Sequence, residues 1–312
     1  MGNTRIAFIG VGGVGGYLAG RLINNSSENI NSFLIARGDH LEAIKKNGLK
    51  VIENKSSEFT VRPTDAFEDI SKLKDIDIFI IAVKSYDLNE VCQAIKPKIA
   101  DDTIVLPLLN GFDIADKIKQ IINKGHILPG LIYISARIDE PGVIKQVSAS
   151  HNIIFGQDNT KSDYYPEELI SVFDQAGINY KWTDDPAPEI WNKYIFIASF
   201  SLVTSLKNKT IGEVLESDSL KTLTSNIMDE ILQVAEASRV ELEDDIVAKS
   251  LEKAAEFPYD TKTSLQRDIA KGKERNELDI FARSIIDAAS KYGISVPNTE
   301  RVYGELMKKF IS

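Results

Sequence analysis

The fold of this chain is decided by the stretch Ile9-Gly10-Val11-Gly12-Gly13-Val14-Gly15-Gly16, close to the N-terminus. A short apolar run, residues 6–9, leads into it and is typical of a buried strand. Residues 17–23 follow it with apolar side chains at helical spacing. A strand, a glycine-rich turn and a helix in this order are the context in which the pattern G-x-G-x-x-G indicates dinucleotide binding, although a turn that serves only packing is the alternative.

The residues of this turn have distinct predicted tasks. Gly10 allows the tight turn, Gly12 lets the backbone approach a pyrophosphate, and Gly15 lets the helix pack closely on the strand. Gly13 and Val14 lie where the helix begins, and the backbone N–H groups there present partial positive charge to a phosphate. We therefore predict that this turn binds the phosphates of a dinucleotide cofactor.

Length and composition restrict the class of protein. The 312 residues suit two domains, and the net charge of −9 argues against nucleic acid as a partner. No apolar run approaches the roughly 20 residues of a membrane helix, and the N-terminal stretch does not have the pattern of a signal peptide. The single cysteine, Cys92, excludes an internal disulfide. We expect a globular cytoplasmic protein without a membrane or nucleic-acid partner.

The residue after the second predicted strand, 32–36, distinguishes between the two nicotinamide cofactors. NAD-specific sites usually place an acidic residue there, which binds the ribose 2′-hydroxyl. This chain has Arg37 instead. Because a guanidinium pairs with a 2′-phosphate that an acidic residue would repel, we predict NADP(H). A solvated surface arginine is the alternative.

Polar residues also follow two later strands of the predicted sheet. The apolar runs 77–83 and 103–109 are typical of strands that a parallel sheet buries on both faces. Lys84 follows the first run and Asn110 follows the second. Ligands of such sheets bind at the carboxyl ends of the strands, so both side chains are candidate contacts for the cofactor or the substrate. A lysine at the rim and a simple Asn-Gly turn are the alternatives.

The remaining pattern predicts a two-part architecture. Residues 49–52 and 58–61 are predicted to form a strand pair, and the runs 127–136, 142–146 and 153–156 are expected to extend the main sheet. Residues 183–188 contain two prolines and no apolar periodicity, which indicates a linker. Apolar spacing beyond it is helical almost throughout. We predict an α/β fold: an N-terminal, doubly wound Rossmann-type NADP-binding domain (1–185) and an all-helical substrate and catalytic domain (186–312).

With these residues in view, the chain resembles the ketopantoate reductase family (2-dehydropantoate 2-reductases) over nearly its full length. The resemblance rests on Gly10-x-Gly12-x-x-Gly15, Ala36-Arg37-Gly38, Val83-Lys84, Asn110-Gly111, Ile190-Trp191-x-Lys193, Thr263-Ser264-Leu265-Gln266-Arg267-Asp268, Asn276-Glu277-Leu278-Asp279 and Gly293-Ile294-x-Val296-Pro297. Each motif is weak alone, but their shared order and spacing are specific.

The resemblance implies an activity and roles for residues. Members of this family reduce a 2-oxo acid to a 2-hydroxy acid with NADPH on the route to pantothenate. Lys193 matches the catalytic lysine, which donates a proton to the ketone oxygen, and Glu277 matches the acid that contacts this lysine and the substrate. Ser264 matches a serine that binds the substrate, and Lys84 and Asn110 match residues that contact cofactor and substrate.

One departure from the family pattern concerns the substrate. Many members have asparagines four and eight residues after the lysine, where this chain has Ile197 and Ser201. Since this spacing lies on one helix face, the surface beside Lys193 is expected to be more apolar than in those members. Besides reduction of ketopantoate, two functions therefore stay open: reduction of another small 2-oxo acid, and a non-catalytic NADP(H)-binding sensor.

The sequence says less about metals and assembly. The histidines His40, His126 and His151 are scattered without the spacing of metal ligands, so no metal site is predicted. Apolar residues on the last helices are compatible with a homodimer or with a core.

Overall fold

The computed structural model describes residues 3–25, 29–53, 57–148, 151–158 and 164–311. The chain divides into two compact units. The first is Met1–Leu109 with Asp113–Pro186, and the second is Asn110–Phe112 with Ala187–Ser312. Three residues that follow the strand run 103–109 therefore belong to the second unit. The predicted cofactor and substrate roles of the two domains stay predictions.

The first unit is built on a six-stranded parallel sheet with the strand order β5-β2-β1-β6-β7-β8. These strands are β1 (Thr4–Ile9), β2 (Ile30–Ile35), β5 (Asp65–Phe67), β6 (Ile78–Ile81), β7 (Ile104–Pro107) and β8 (His126–Ile127). The helices are α1 (Gly13–Asn25), α2 (Gly38–Asn47), α3 (Leu88–Ile95), α4 (Ile114–Lys119) and α5 (Glu167–Ala176). The central strands consist of fully buried aliphatic and aromatic residues, as a parallel sheet requires. The predicted Rossmann-type fold is confirmed.

Of the runs 127–136, 142–146 and 153–156, which are expected to extend this sheet, only the start of the first does so, as β8. For the remaining residues the expectation is wrong, because they belong to two further sheets, of four strands (order β10-β11-β3-β4) and of three strands (order β13-β12-β9). These strands are β3 (Leu49–Glu53), β4 (Ser57–Val61), β9 (Gly130–Tyr133), β10 (Ala136–Glu140), β11 (Val143–Gln146), β12 (Asn152–Gly156) and β13 (Tyr180–Thr183). The run 127–136 breaks at Pro129, which has no N–H to continue the β8 ladder. The predicted pairing of β3 with β4 is confirmed, and the two strands run antiparallel.

Two glycines of α1 explain why the four-stranded sheet packs on this helix. A Cβ at Gly16 would lie 2.7 Å from the side chain of Ile144 in β11, and a Cβ at Gly20 would lie 2.3 Å from Val51 in β3. Glycines four residues apart form one smooth stripe along a helix. Side chains of the four-stranded sheet pack into the space along these glycines. The helix α1 therefore packs against this sheet as well as against the six-stranded sheet.

A polar cluster around Tyr17, which directly follows the glycine-rich stretch, holds α1 in place. The Tyr17 hydroxyl lies 3.1 Å from a Glu53 carboxylate oxygen and 3.0 Å from Nδ1 of His151, and Arg21 pairs with the same carboxylate at 3.0 Å. Nε2 of His151 accepts a hydrogen bond from the backbone N–H of Asn179 at 3.2 Å. Because Nε2 must be unprotonated to accept this bond, the structure requires a neutral imidazole.

We expect this cluster to make the protein less stable in mild acid. Burial lowers the pKa of His151 below its ordinary 6.5, with a further lowering by the Arg21 charge. Below pH 6.5 the unfolded chain therefore binds a proton that the folded chain does not, and stability falls as pH falls. The thermal midpoint should decrease from pH 7.5 to pH 5.5 in the wild type and less in His151→Gln. An equal decrease in both proteins would contradict this assignment.

The second unit is helical, as predicted. Its helices are α6 (Ala187–Lys207), α7 (Ile211–Glu216), α8 (Asp218–Ala237), α9 (Ile246–Ala255), α10 (Ser264–Ala270), α11 (Ser284–Tyr292) and α12 (Pro297–Ile311). The long helix α6 is buried along most of its length and contacts α7, α8, α9, α10 and α12. A π-helical turn, Asp279–Arg283, directly precedes α11. Within the described part of the chain, no helix has the length and apolar composition needed to cross a membrane.

Candidate active site

The predicted cofactor residues of the first unit lie at the carboxyl edge of its parallel sheet. Gly10, Arg37 and Lys84 follow β1, β2 and β6, which are neighbours with β1 in the middle. The turn at Gly10 has a φ of 94° and packs against the residues that follow β6, since a Cβ at Gly10 would lie 2.8 Å from the Val83 side chain. The chain reverses its direction of winding at β1, which is where open α/β sheets bind ligands.

Packing within the protein explains why two positions of this turn, 13 and 15, are glycine, but it does not explain the glycine at position 12. A Cβ at Gly13 would lie 2.1 Å from the Ala136 carbonyl oxygen, and a Cβ at Gly15 would lie 2.1 Å from the Gly10 carbonyl oxygen. At Gly12, by contrast, a Cβ would meet nothing within 4 Å, and its φ is not positive. The protein itself does not explain a glycine there, whereas close approach of a pyrophosphate does. The turn therefore fits a dinucleotide.

Backbone donors complete this cradle. The helical hydrogen bonds of α1 begin with the Gly16 N–H, which donates to the Gly12 carbonyl oxygen at 2.8 Å. The N–H groups of Gly13, Val14 and Gly15 precede it in the first turn, where helix geometry provides no intrahelical acceptor. Such donors, at the positive end of the helix dipole, suit phosphate oxygens. The Val14 side chain packs against the hydrophobic core, so this residue can offer only its backbone.

The two predicted basic contacts have different surroundings. The Arg37 side chain is 57% exposed, and its Nη1 lies 3.9 Å from Oδ2 of Asp87, beyond hydrogen-bond distance. Lys84 is half-buried and begins a short 3₁₀ turn after β6, where its carbonyl oxygen accepts from the Asp87 N–H at 2.9 Å. The guanidinium of Arg37 is thus largely available to an anion at this edge.

In the second unit, the structure brings three of the predicted residues together. Lys193 extends from α6, and its Nζ donates a hydrogen bond to Oδ1 of Asn110 at 3.0 Å. Glu277 is only 4% exposed, and its negative charge acts on Lys193. The sequence predicted each residue for the site, but not that Asn110 is a direct partner of the lysine.

An aromatic cluster that the sequence analysis missed fixes Asn110 in this position. The Phe112 ring stacks on Trp191 with 4.3 Å between centroids and meets Tyr194 edge-on at 5.1 Å. The Tyr194 hydroxyl donates to the Ile280 carbonyl oxygen at 2.7 Å. Phe112 therefore ties the segment 110–112 to the same turn of α6 that presents Lys193. The signal was the aromatic pair that flanks Lys193 in Trp191-x-Lys193-Tyr194.

The surroundings of Lys193 adjust its acidity. Burial lowers the pKa of this lysine from 10.5 to about 8, the Glu277 carboxylate opposes that lowering, and the positive charge of Lys253 adds to it. The lysine is therefore mostly protonated at neutral pH but close to losing its proton. A group in this state can transfer a proton to a developing alkoxide.

Ser264 is not joined to this group. It is the first residue of α10, whose N-cap Thr263 hydrogen-bonds Thr204 of α6 across 2.9 Å. In the described part of the chain, no hydrogen bond links the Ser264 hydroxyl to Lys193 or Glu277. Its predicted contact with a substrate stays a prediction.

The histidines all have structural surroundings. His40 accepts a hydrogen bond from the Gly142 N–H at 2.9 Å, His151 belongs to the Tyr17 cluster, and His126 stacks on Tyr164. Among the residues that the structure describes, no group of three or more His, Cys, Asp or Glu side chains is arranged to hold a metal ion.

Comparison with known proteins covers almost the whole chain. The family model described as "Ketopantoate reductase PanE/ApbA" matches residues 6–160, and the model of the C-terminal part of the same family matches residues 186–310. These two matches together span both units.

Individual relatives are distant but of full length. The chain is 28% identical to the uncharacterized oxidoreductase YkpB of Bacillus subtilis, with 96% of each chain covered. It is 25% identical to the 2-dehydropantoate 2-reductase of Aquifex aeolicus, with 95% of this chain and 94% of the relative covered. Among solved structures, a PanE/ApbA family ketopantoate reductase from Ralstonia eutropha JMP134 is 25% identical, with a TM-score of 0.88 and 99% of each chain covered.

Proposed function

The chain belongs to the ketopantoate reductase family, and on that premise we propose that it reduces a small 2-oxo acid with NADPH, with 2-dehydropantoate (ketopantoate) reduced to pantoate as the first candidate reaction. It is an oxidoreductase that acts on CH–OH groups. The observation that supports the proposal most directly is Lys193, with its pKa near 8, its hydrogen bond to Asn110 and the charge of Glu277 beside it.

Each of these residues has a proposed task in the reduction. When bound, NADPH would supply the hydride that the ketone carbon takes up. Lys193 donates a proton from Nζ to the ketone oxygen and stabilises the negative charge that develops there, and it then regains a proton from solvent. Glu277 keeps the lysine protonated, because a nearby carboxylate favours the ammonium form. Asn110 fixes the direction of Nζ through its hydrogen bond.

The cofactor would be held by the first unit. The N–H groups at the start of α1 and the space at Gly12 suit the pyrophosphate, and Lys84 follows the adjacent strand. We propose NADP(H) over NAD(H) because Arg37, and not an acidic residue, follows β2.

Arg37→Gln should separate the two cofactors. We expect it to raise the Kd for NADPH about 10- to 100-fold, since it removes a charge-assisted contact, and to leave the Kd for NADH almost unchanged. Lys45→Gln is the matched control, because Lys45 is an exposed cation on α2, the helix that follows Arg37, and also lies 3.9 Å from a carboxylate. Equal weakening of NADPH and NADH by Arg37→Gln would contradict the assignment to the 2′-phosphate.

The function is tested by measuring the loss of NADPH absorbance in the presence of ketopantoate and of a panel of other 2-oxo acids. The product of each reaction is identified by chromatography. Pantoate as the preferred product supports the first candidate reaction. Preference for another acid supports the alternative that Ile197 and Ser201 suggest, a reductase of a different small 2-oxo acid. NADPH binding without oxidation by any acid would favour a non-catalytic sensor, against which the assembled Lys193 site argues. The cytoplasmic location and a possible homodimer are likewise proposals.

A further inference from the structure

A second lysine, Lys253, lies close to the candidate catalytic lysine in the second unit. It extends from α9, and its Nζ lies 5.9 Å from the centroid of the Phe196 ring. Phe196 is three residues after Lys193 on α6, a spacing that places the two side chains on the same face of the helix. The positive charge of Lys253 acts on Lys193. Two cations therefore approach the same part of the second unit.

Two like charges act on each other in this group. Lys193 and Lys253 are both positive, in a chain whose overall net charge is −9, and the negative charge of Glu277 also acts on Lys193. Like charges held together cost free energy that a bound anion relieves. A 2-oxo acid is such an anion, with its carboxylate on the carbon next to the ketone that Lys193 would protonate.

Aromatic rings lie beside Lys253, which strengthens this argument. Phe257, one helical turn after Lys253 in the chain, is 40% exposed and stacks on Phe196 with 5.5 Å between centroids. Ile197 is half-buried beside Phe196 on α6. Apolar neighbours lower the local dielectric and so increase the attraction between an ammonium and a carboxylate.

On the basis of the proposed function, we infer that Lys253 binds the carboxylate of the 2-oxo acid substrate while Lys193 acts on its ketone oxygen. Lys253 is then a specificity residue, which distinguishes 2-oxo acids from uncharged ketones and takes no proton or hydride itself. The adjacent rings of Phe196 and Phe257 are positioned to contact the hydrocarbon part of the same substrate.

The test compares Lys253→Gln with Lys249→Gln in the full-length enzyme. Lys249 is one turn earlier on α9 and is already paired with Glu243 and with Asp245 at 3.1 Å, so its replacement removes the same charge from the same helix. We expect Lys253→Gln to raise KM for the preferred 2-oxo acid, and its calorimetric Kd with NADP⁺ present, about 10- to 100-fold. We expect kcat at neutral pH to change by less than about 3-fold.

A pH profile distinguishes recognition of the anion from a structural role. Removing the Lys253 charge also removes a cause of the lowered Lys193 pKa, so the basic limb of kcat/KM should move to higher pH in Lys253→Gln. A merely structural residue would not weaken substrate binding and move this limb upward together. Lys249→Gln should change neither quantity.

Failure of this inference and failure of the proposed function would give different results. Unchanged KM and Kd in Lys253→Gln would overturn the inference, and the proposed function would stand as long as the wild type reduces a 2-oxo acid. If the wild type binds 2-oxo acids through Lys253 but reduces none of them, the inference holds and the proposed function fails. If the wild type binds no 2-oxo acid, both are overturned.

Discussion

Lys193→Ala is expected to lower kcat of the reduction by about 10²- to 10⁴-fold, the range typical of a lost general acid. The wild-type kcat/KM should be constant at neutral pH and fall about tenfold per pH unit above pH 8, because the pKa of Lys193 is about 8 and only the ammonium form donates a proton. Glu277→Gln should move this limb to lower pH, since the carboxylate raises the pKa of the lysine. Stopped-flow and steady-state measurements of NADPH oxidation check all three expectations.

Lys207→Ala is the control for this series, because Lys207 is an exposed lysine in the last turn of the same helix. It should leave kcat and the pH profile unchanged. Thermal unfolding of each variant must show that the fold is intact. If Lys193→Ala kept wild-type kcat, or if the basic limb persisted at pH 8 without Lys193, another group would be the acid.

The second large effect is expected from alanine substitutions in the glycine-rich turn, where neighbouring glycines should respond in opposite ways. Gly15→Ala would place a Cβ 2.1 Å from the Gly10 carbonyl oxygen, a contact between two backbone segments that cannot both stay in place. We expect a loss of about 3 kcal/mol or more and a thermal midpoint lower by roughly 10 °C.

Gly12→Ala should leave the fold intact and abolish tight cofactor binding. Its Cβ would meet no atom of the protein within 4 Å, and its φ suits alanine, so the thermal midpoint should stay the same or rise slightly. The added methyl group would occupy the space into which we place the pyrophosphate, and we expect the Kd for NADPH to rise about 100-fold, or roughly 2.7 kcal/mol. Unchanged NADPH affinity in a folded Gly12→Ala protein would refute the proposed cradle.

The sequence was informative wherever local chemistry decides the structure. The glycine turn between β1 and α1 and the helical spacing after Pro186 have local signatures, and the fold they predict is confirmed. The partner of each later strand was not predictable in the same way. Alternating or continuous apolar residues indicate a strand but not the sheet that it joins. Gly16 and Gly20, which receive side chains from β11 and β3, act at long range and give no local sign of the second sheet.

The candidate site was also predictable from the sequence only in part. Lys193, Glu277 and Asn110 were named from motifs, and the structure brings them together, while their catalytic and binding roles stay predictions. The hydrogen bond between Asn110 and Lys193 and the stack of Phe112 on Trp191 join residues far apart in the chain. Lys253 had no signal at all, because a lysine on an exposed helix face is ordinary in any sequence.

The membership of residues 110–112 in the second unit has a consequence for recombination between relatives. A chimera with one junction near residue 186 would inherit Lys193 and Trp191 from one parent but Asn110 and Phe112 from the other. The catalytic site of such a hybrid would be intact only if the two parents have the same residues at positions 110–112. Exchange of the helical unit between homologues therefore requires that residues 110–112 be exchanged together with residues 187–312.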